Sequence, residues 1–74
     1  MKKCNNIPAL VEKIRQLLNI KQQTMTDNKG IYFEYKGLRI NLYNTNTYTF
    51  QGDVASNMDI RSQIENIAEE INNQ

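Results

Sequence analysis

The chain has 74 residues, 39% of them hydrophobic, and a formal net charge of +1. That length accommodates one domain with a two-layer core and no deep enclosed cleft. With no histidine and one cysteine, His/Cys metal sites, Cys–His or Ser–His nucleophiles and an intramolecular disulfide are excluded within one chain.

The opening residues, Met1-Lys2-Lys3-Cys4-Asn5-Asn6, are basic with no apolar segment behind them, so they resemble neither a secretion nor a lipoprotein signal. No apolar run approaches the length of a bilayer span. Together with the lone cysteine this reads as a soluble cytoplasmic protein whose N-terminus is frayed and whose Cys4 is an incidental exposed thiol.

Ile7, Leu10, Val11, Ile14, Leu17 and Leu18 form one apolar stripe at helical spacing, with Glu12, Lys13, Arg15 and Gln16 off it. Asn6 is a suitable N-cap, Pro8 falls in the first turn where its missing N–H is harmless, and the helix is expected to end near Asn19. Residues 20–30 are a polar connection in which Thr24-Met25-Thr26 is as compatible with a short edge strand as with a loop, before the turn Asp27-Asn28-Lys29-Gly30.

The period then changes from helical to alternating. Ile31, Phe33 and Tyr35 alternate with Tyr32, Glu34 and Lys36; Leu38, Ile40 and Leu42 alternate with Arg39, Asn41 and Tyr43; Tyr48 and Phe50 alternate with Thr47, Thr49 and Gln51. Lys36-Gly37 reads as a two-residue turn with Gly37 at positive φ, and Asn44-Thr45-Asn46 as a three-residue turn with Asn46 left-handed. These turns set Phe33 opposite Ile40, Ile31 opposite Leu42, Leu42 opposite Tyr48 and Ile40 opposite Phe50. One face is therefore apolar throughout, and the turn chemistry agrees with the binary pattern. The same register gives an exposed cross-strand ion pair, Glu34–Arg39, on the opposite face.

Ile60, Ile64, Ile67, Ala68 and Ile71 form the stripe of a last helix, and Ser56 with Asp59 resembles a capping box at its start. The expected fold is a single α+β domain over residues 1–74, a two-layer α-β-β-β-α sandwich. Its antiparallel meander carries both helices on one face.

Charge is unevenly spread: residues 59–74 carry −3 and residues 1–58 carry +4, compatible with a polyanionic partner. The three glycines are isolated, so no phosphate-cradling loop exists, and Glu34 and Asp53 lie on open surface rather than converging as a catalytic pair. The chain reads as non-catalytic and cofactor-free. The acids Glu65, Glu69 and Glu70 read as a solvated helix flank.

The informative feature is the sheet face left uncovered. It presents Tyr32, Lys36, Arg39, Asn41, Tyr43, Thr49 and Gln51, flanked by Thr47. Rings supply stacking, cations neutralise phosphate and amides reach base edges, though tyrosine and threonine are also what any solvated strand prefers.

The stretch from Gly37 through Tyr43 to Phe50-Gln51-Gly52 resembles the hairpin of the N-terminal domain of bacterial ribonuclease HIII: a glycine, alternating apolar residues, a tyrosine, a short turn, then Phe-Gln-Gly. That family usually has glycine where this chain has Asn46. Its domain is similar to one half of the TATA-box-binding protein, with helices on one face of a curved sheet and nucleic acid on the other. The resemblance implies a freestanding module that binds duplex or RNA/DNA hybrid, since the catalytic ribonuclease domain is absent. The α-β-β-β-α order is shared with the double-stranded RNA-binding domain, but the basic cluster which that family carries at its second helix is here Ser56-Asn57-Met58-Asp59-Ile60-Arg61, with one cation and one acid. The competing expectation is a protein-interaction module, acting as a small phage or mobile-element inhibitor or as a homodimer, through the sheet face or a strand edge.

Overall fold

The computed structural model describes residues 2–74. In chain order the elements are β1 (Lys2–Lys3), α1 (Ile7–Leu18), β2 (Gln23–Thr24), β3 (Gly30–Tyr35), β4 (Leu38–Tyr43), β5 (Thr47–Gly52), a 3-10 turn (Ala55–Asn57) and α2 (Met58–Asn72). The fold is the expected two-layer α+β sandwich. The sheet is antiparallel with order β1-β5-β4-β3-β2, the three-strand meander carrying a two-residue strand on each edge.

The meander has the register its turns dictate. Tyr35 opposes Leu38, Phe33 opposes Ile40, and Ile40 opposes Phe50 on the other side. Lys36 and Gly37 both have positive φ (51° and 82°), the requirement of a two-residue turn whose twist matches the strands. Asn46 is left-handed at φ 64°. Gly30, expected in a turn, is instead the buried first residue of β3, where a Cβ would run into the Leu42 carbonyl.

Both helices pack on the apolar sheet face. Ile7, Leu10, Ile14 and Leu18 of α1 and Ile64 and Ala68 of α2 form one cluster with Phe33, Leu38, Ile40, Leu42 and Tyr48. Leu17, at the rim of the α1 stripe, stays 36% exposed. Phe50 packs against this cluster but is only half-buried, with the Arg61 guanidinium of α2 5.6 Å from its ring centre. Asn6 caps α1 through its Oδ1, which accepts the Ala9 N–H at 3.1 Å. Ser56 does not cap α2. It sits in the 3-10 turn, its N–H donating to Asp53 Oδ1 at 3.2 Å, and α2 begins at Met58. The buried Asn57 ties this junction to the β3–β4 turn by donating to the carbonyls of Asp53 (2.8 Å) and Lys36 (3.2 Å).

The N-terminal segment is ordered into the fold, and Cys4 is fully buried in the core rather than exposed. Besides the pairing of β1 with β5, four contacts hold it. Cys4 N–H donates to Asn46 O at 2.9 Å, and Lys2 pairs with Glu65 at 3.3 Å. Asn72 at the end of α2 accepts the Asn5 N–H (2.7 Å) and donates to Lys3 O (3.0 Å). The second edge strand is Gln23–Thr24, one residue earlier than Thr24-Met25-Thr26.

Two outcomes follow from this core. Phe33→Ala should lower stability by about 3–5 kcal/mol and Phe50→Ala by clearly less, measured as denaturant midpoints at constant m. Tyr48, 3% exposed, has its hydroxyl pushed up from the usual 10 to about 12 by burial and then by the nearby Glu65 carboxylate. The folded protein thus holds this proton to higher pH than the unfolded chain. The associated stability is complete below pH 10 and is lost as pH rises through 10 towards 12. Tyr48→Phe should flatten that decline between pH 9 and 11.5, and an unchanged slope would contradict the assignment.

Candidate functional site

The second face of the sheet has no helix against it. Alternation along each strand places Gln23 of β2, Tyr32 and Glu34 of β3, Arg39, Asn41 and Tyr43 of β4, and Thr47, Thr49 and Gln51 of β5 on this side. Lys3, opposite Thr47, joins them from β1. Lys3 is exposed and adds a cation that the sequence reading assigned to a frayed tail.

Six side chains form one connected network at the centre of the face. The Arg39 guanidinium lies over the Tyr32 ring, 3.8 Å from its centroid, and Arg39 Nε donates to Asn41 Oδ1 at 2.9 Å. Asn41 Nδ2 donates to Gln51 Oε1 (2.9 Å) and to Thr49 Oγ1 (3.2 Å), and Tyr32 donates its hydroxyl to Gln23 Oε1 at 3.0 Å. Asn41 is 2% exposed. It was expected as a surface amide free to meet a ligand. Its neighbours instead close over it and use its carbonyl and both amide protons, so it is the anchor of the face. Gln51 keeps its NH2 available, and four of the five Arg39 N–H groups stay free of the Asn41 bond.

Two further expectations change. Glu34 and Arg39 do oppose each other in register, but no ion pair forms between them, because the guanidinium turns to the diagonal neighbour Tyr32 and to Asn41. Stacking on a ring while donating to a buried acceptor is stronger than an exposed ion pair worth about 0–1 kcal/mol. Lys36 does not join the network: its ammonium lies 5.3 Å from the centre of the Tyr35 ring, and Tyr35 belongs to the alternation of the helix-covered face.

The central network is bordered on the β2 side by the turn Met25–Gly30, and between them lies an open concavity of about 380 Å³ lined by Asp27, Tyr32, Arg39, Tyr43 and Gln51 among others. The turn is pinned: Met25 N–H donates to Gly30 O (3.0 Å), Asn28 N–H to Met25 O (3.1 Å), Lys29 N–H to Asp27 Oδ1 (3.1 Å), and Asn44 Nδ2 to Asn28 O (3.0 Å). Among the described residues no group of three acidic or thiol side chains is arranged to hold a metal ion, and no helix is long and apolar enough to cross a membrane. No protein-family model, curated protein or solved structure gives a significant match to this chain.

Removing the anchor should disturb the whole face. Asn41→Ala strands the Arg39 Nε–H donor and the Thr49 Oγ1 and Gln51 Oε1 acceptors and should cost about 1–3 kcal/mol. In proton NMR the Arg39 Nε–H signal, slowed in exchange by its bond to Asn41, should broaden or vanish in the variant while the core methyl shifts stay in place. Retention of a slowly exchanging Nε–H would show that Asn41 does not hold Arg39.

Proposed function

We propose that this protein is a non-catalytic nucleic-acid-binding module, working in the cytoplasm, that takes its ligand on the uncovered face of the sheet. The observation that carries this reading is the Arg39 guanidinium set over the Tyr32 ring, 3.8 Å from its centroid, and held there by the buried Asn41. A stacked, preoriented guanidinium offers N–H groups to phosphate or to base acceptors, and a flat surface on which a base can stack. Tyr43, half-buried and two residues beyond Asn41 on the same strand, supplies a second ring. Such a platform suits a ligand built of planar rings and anions, whereas a protein interface of useful size would present an apolar centre.

The electrostatics set the strength. The face carries two cations, Lys3 and Arg39, against Glu34, so few phosphates are neutralised and affinity should be modest. Titrating labelled duplex DNA, duplex RNA, hybrid and single strands into the isotope-labelled protein at low salt tests this directly. Amide shifts should concentrate on Tyr32, Arg39, Tyr43, Thr49 and Gln51, log Kd should change with log salt with a slope of about 2, and Tyr43→Ala should weaken binding about tenfold. Shifts confined to the helices, or none at high micromolar nucleic acid, would overturn the reading and leave a protein partner as the better one.

A further inference from the structure

The concavity beside the Arg39–Tyr32 stack has a charge pattern that a polyanion backbone does not explain. Its rim carries one anion, Asp27, as well as the cation Arg39, and among the described residues no ion pair engages either of them. A phosphate would meet Asp27 unfavourably. The space suits a neutral, planar group that presents donors on one edge and acceptors on the next.

We infer that this concavity is a pocket for an unpaired guanine of a single-stranded nucleic acid. The inference rests on the nucleic-acid reading above and narrows it. Guanine is the base with two adjacent N–H donors on its Watson–Crick edge, matching a carboxylate, and two adjacent acceptors, O6 and N7, matching a guanidinium fork. The Watson–Crick donors are occupied in a duplex, so the pocket takes a base only when it is unpaired.

The two reading groups are held before any ligand arrives. Asp27 Oδ1 accepts the Lys29 N–H, which orients the carboxylate within the pinned turn and leaves Oδ2 free of any bond to the described residues. Arg39 is fixed by Tyr32 below and Asn41 beside it. Tyr43 lines the same space and offers its ring to the base, and Gln51 contributes a free NH2. Adenine has a single exocyclic donor group and no N1–H, so it leaves Asp27 half-satisfied. That mismatch is the source of discrimination.

The test uses the full chain with four probes: an eight-nucleotide single strand containing one guanine, the same strand with adenine in its place, the guanine strand annealed to its complement, and free GMP. The single-stranded guanine probe should bind about tenfold tighter than the adenine strand and than the annealed duplex. GMP should bind more weakly than the strand while shifting the amides of Asp27 and Arg39. Asp27→Asn, whose amide oxygen can still accept the Lys29 N–H, should melt like the parent and bind guanine and adenine strands equally. Equal affinity for both strands in the parent, or undiminished affinity for the duplex, overturns the guanine pocket while face shifts keep the broader reading alive. GMP binding as tightly as the strand overturns the strand as the source of the base. Absence of binding by every probe removes both readings together.

Discussion

The register of β4 against its two neighbours is the constraint on which the rest depends. Ile40 and Asn41 are adjacent in sequence, one at the centre of the core and the other at the centre of the uncovered face. A slip of one residue would exchange them, placing an amide under the helices and an isoleucine among Arg39, Thr49 and Gln51. Two turns prevent it. Lys36-Gly37 closes the β3–β4 hairpin at positive φ, and Asn46 closes β4–β5 in the left-handed region, so each hairpin register is set by its own turn. The Asn57 amide then fastens the first of these turns to the start of α2.

From that register follows the character of the open face. Burying a polar side chain on a sheet surface is unfavourable unless each of its groups finds a partner, and Asn41 finds one for its carbonyl and for each amide proton. Because those partners are the residues able to meet a ligand, satisfying Asn41 also orders them. A free arginine loses appreciable rotamer freedom when it is immobilised on binding, and here much of that loss is taken during folding. The face is therefore preorganised rather than merely polar, which separates it from an ordinary solvated sheet surface.

The meander and both helices were legible in the sequence because their signals are local: period-two alternation in residues 31–51, helical stripes in 7–18 and 60–71, and turn residues suited to positive φ. What was not legible depends on distant residues. A two-residue strand such as β1 has no period of its own, and its place comes from Asn72, 69 residues beyond Lys3, so Cys4 read as exposed and Lys3 as loose. The α2 cap was misplaced because a 3-10 turn, in which the Ser56 N–H donates to Asp53 Oδ1, intervenes before α2, and α2 starts at Met58 with no side-chain cap. On the candidate face the membership of Tyr32, Arg39, Asn41, Tyr43, Thr49 and Gln51 followed from alternation, but their roles did not. Opposition in register favoured Glu34 as the partner of Arg39. The diagonal ring of Tyr32 and the buried acceptor of Asn41 took it instead, a choice set by side-chain reach that pairing alone does not encode.

The same long-range contacts bear on whether a partner would use the face or the edge of the sheet. Strand addition needs an exposed run of backbone, and both edges of this sheet already carry a short guard strand. On the β5 side the guard is secured at three points, by Asn72, by Lys2–Glu65 and by Cys4 in the core, so an incoming strand would have to displace a packed residue to reach Thr47 and Tyr48. What is left of that edge, Thr49 to Gly52, has the Arg61 guanidinium near the Phe50 ring and ends at Gly52, whose positive φ turns the chain away towards α2. On the β3 side β2 pairs with Ile31 and Tyr32, leaving Phe33 to Tyr35, too short a run for an added strand to gain much main-chain bonding. The edges are thus blunted while the face is preorganised, and that contrast favours the proposed use of the face over strand addition at an edge.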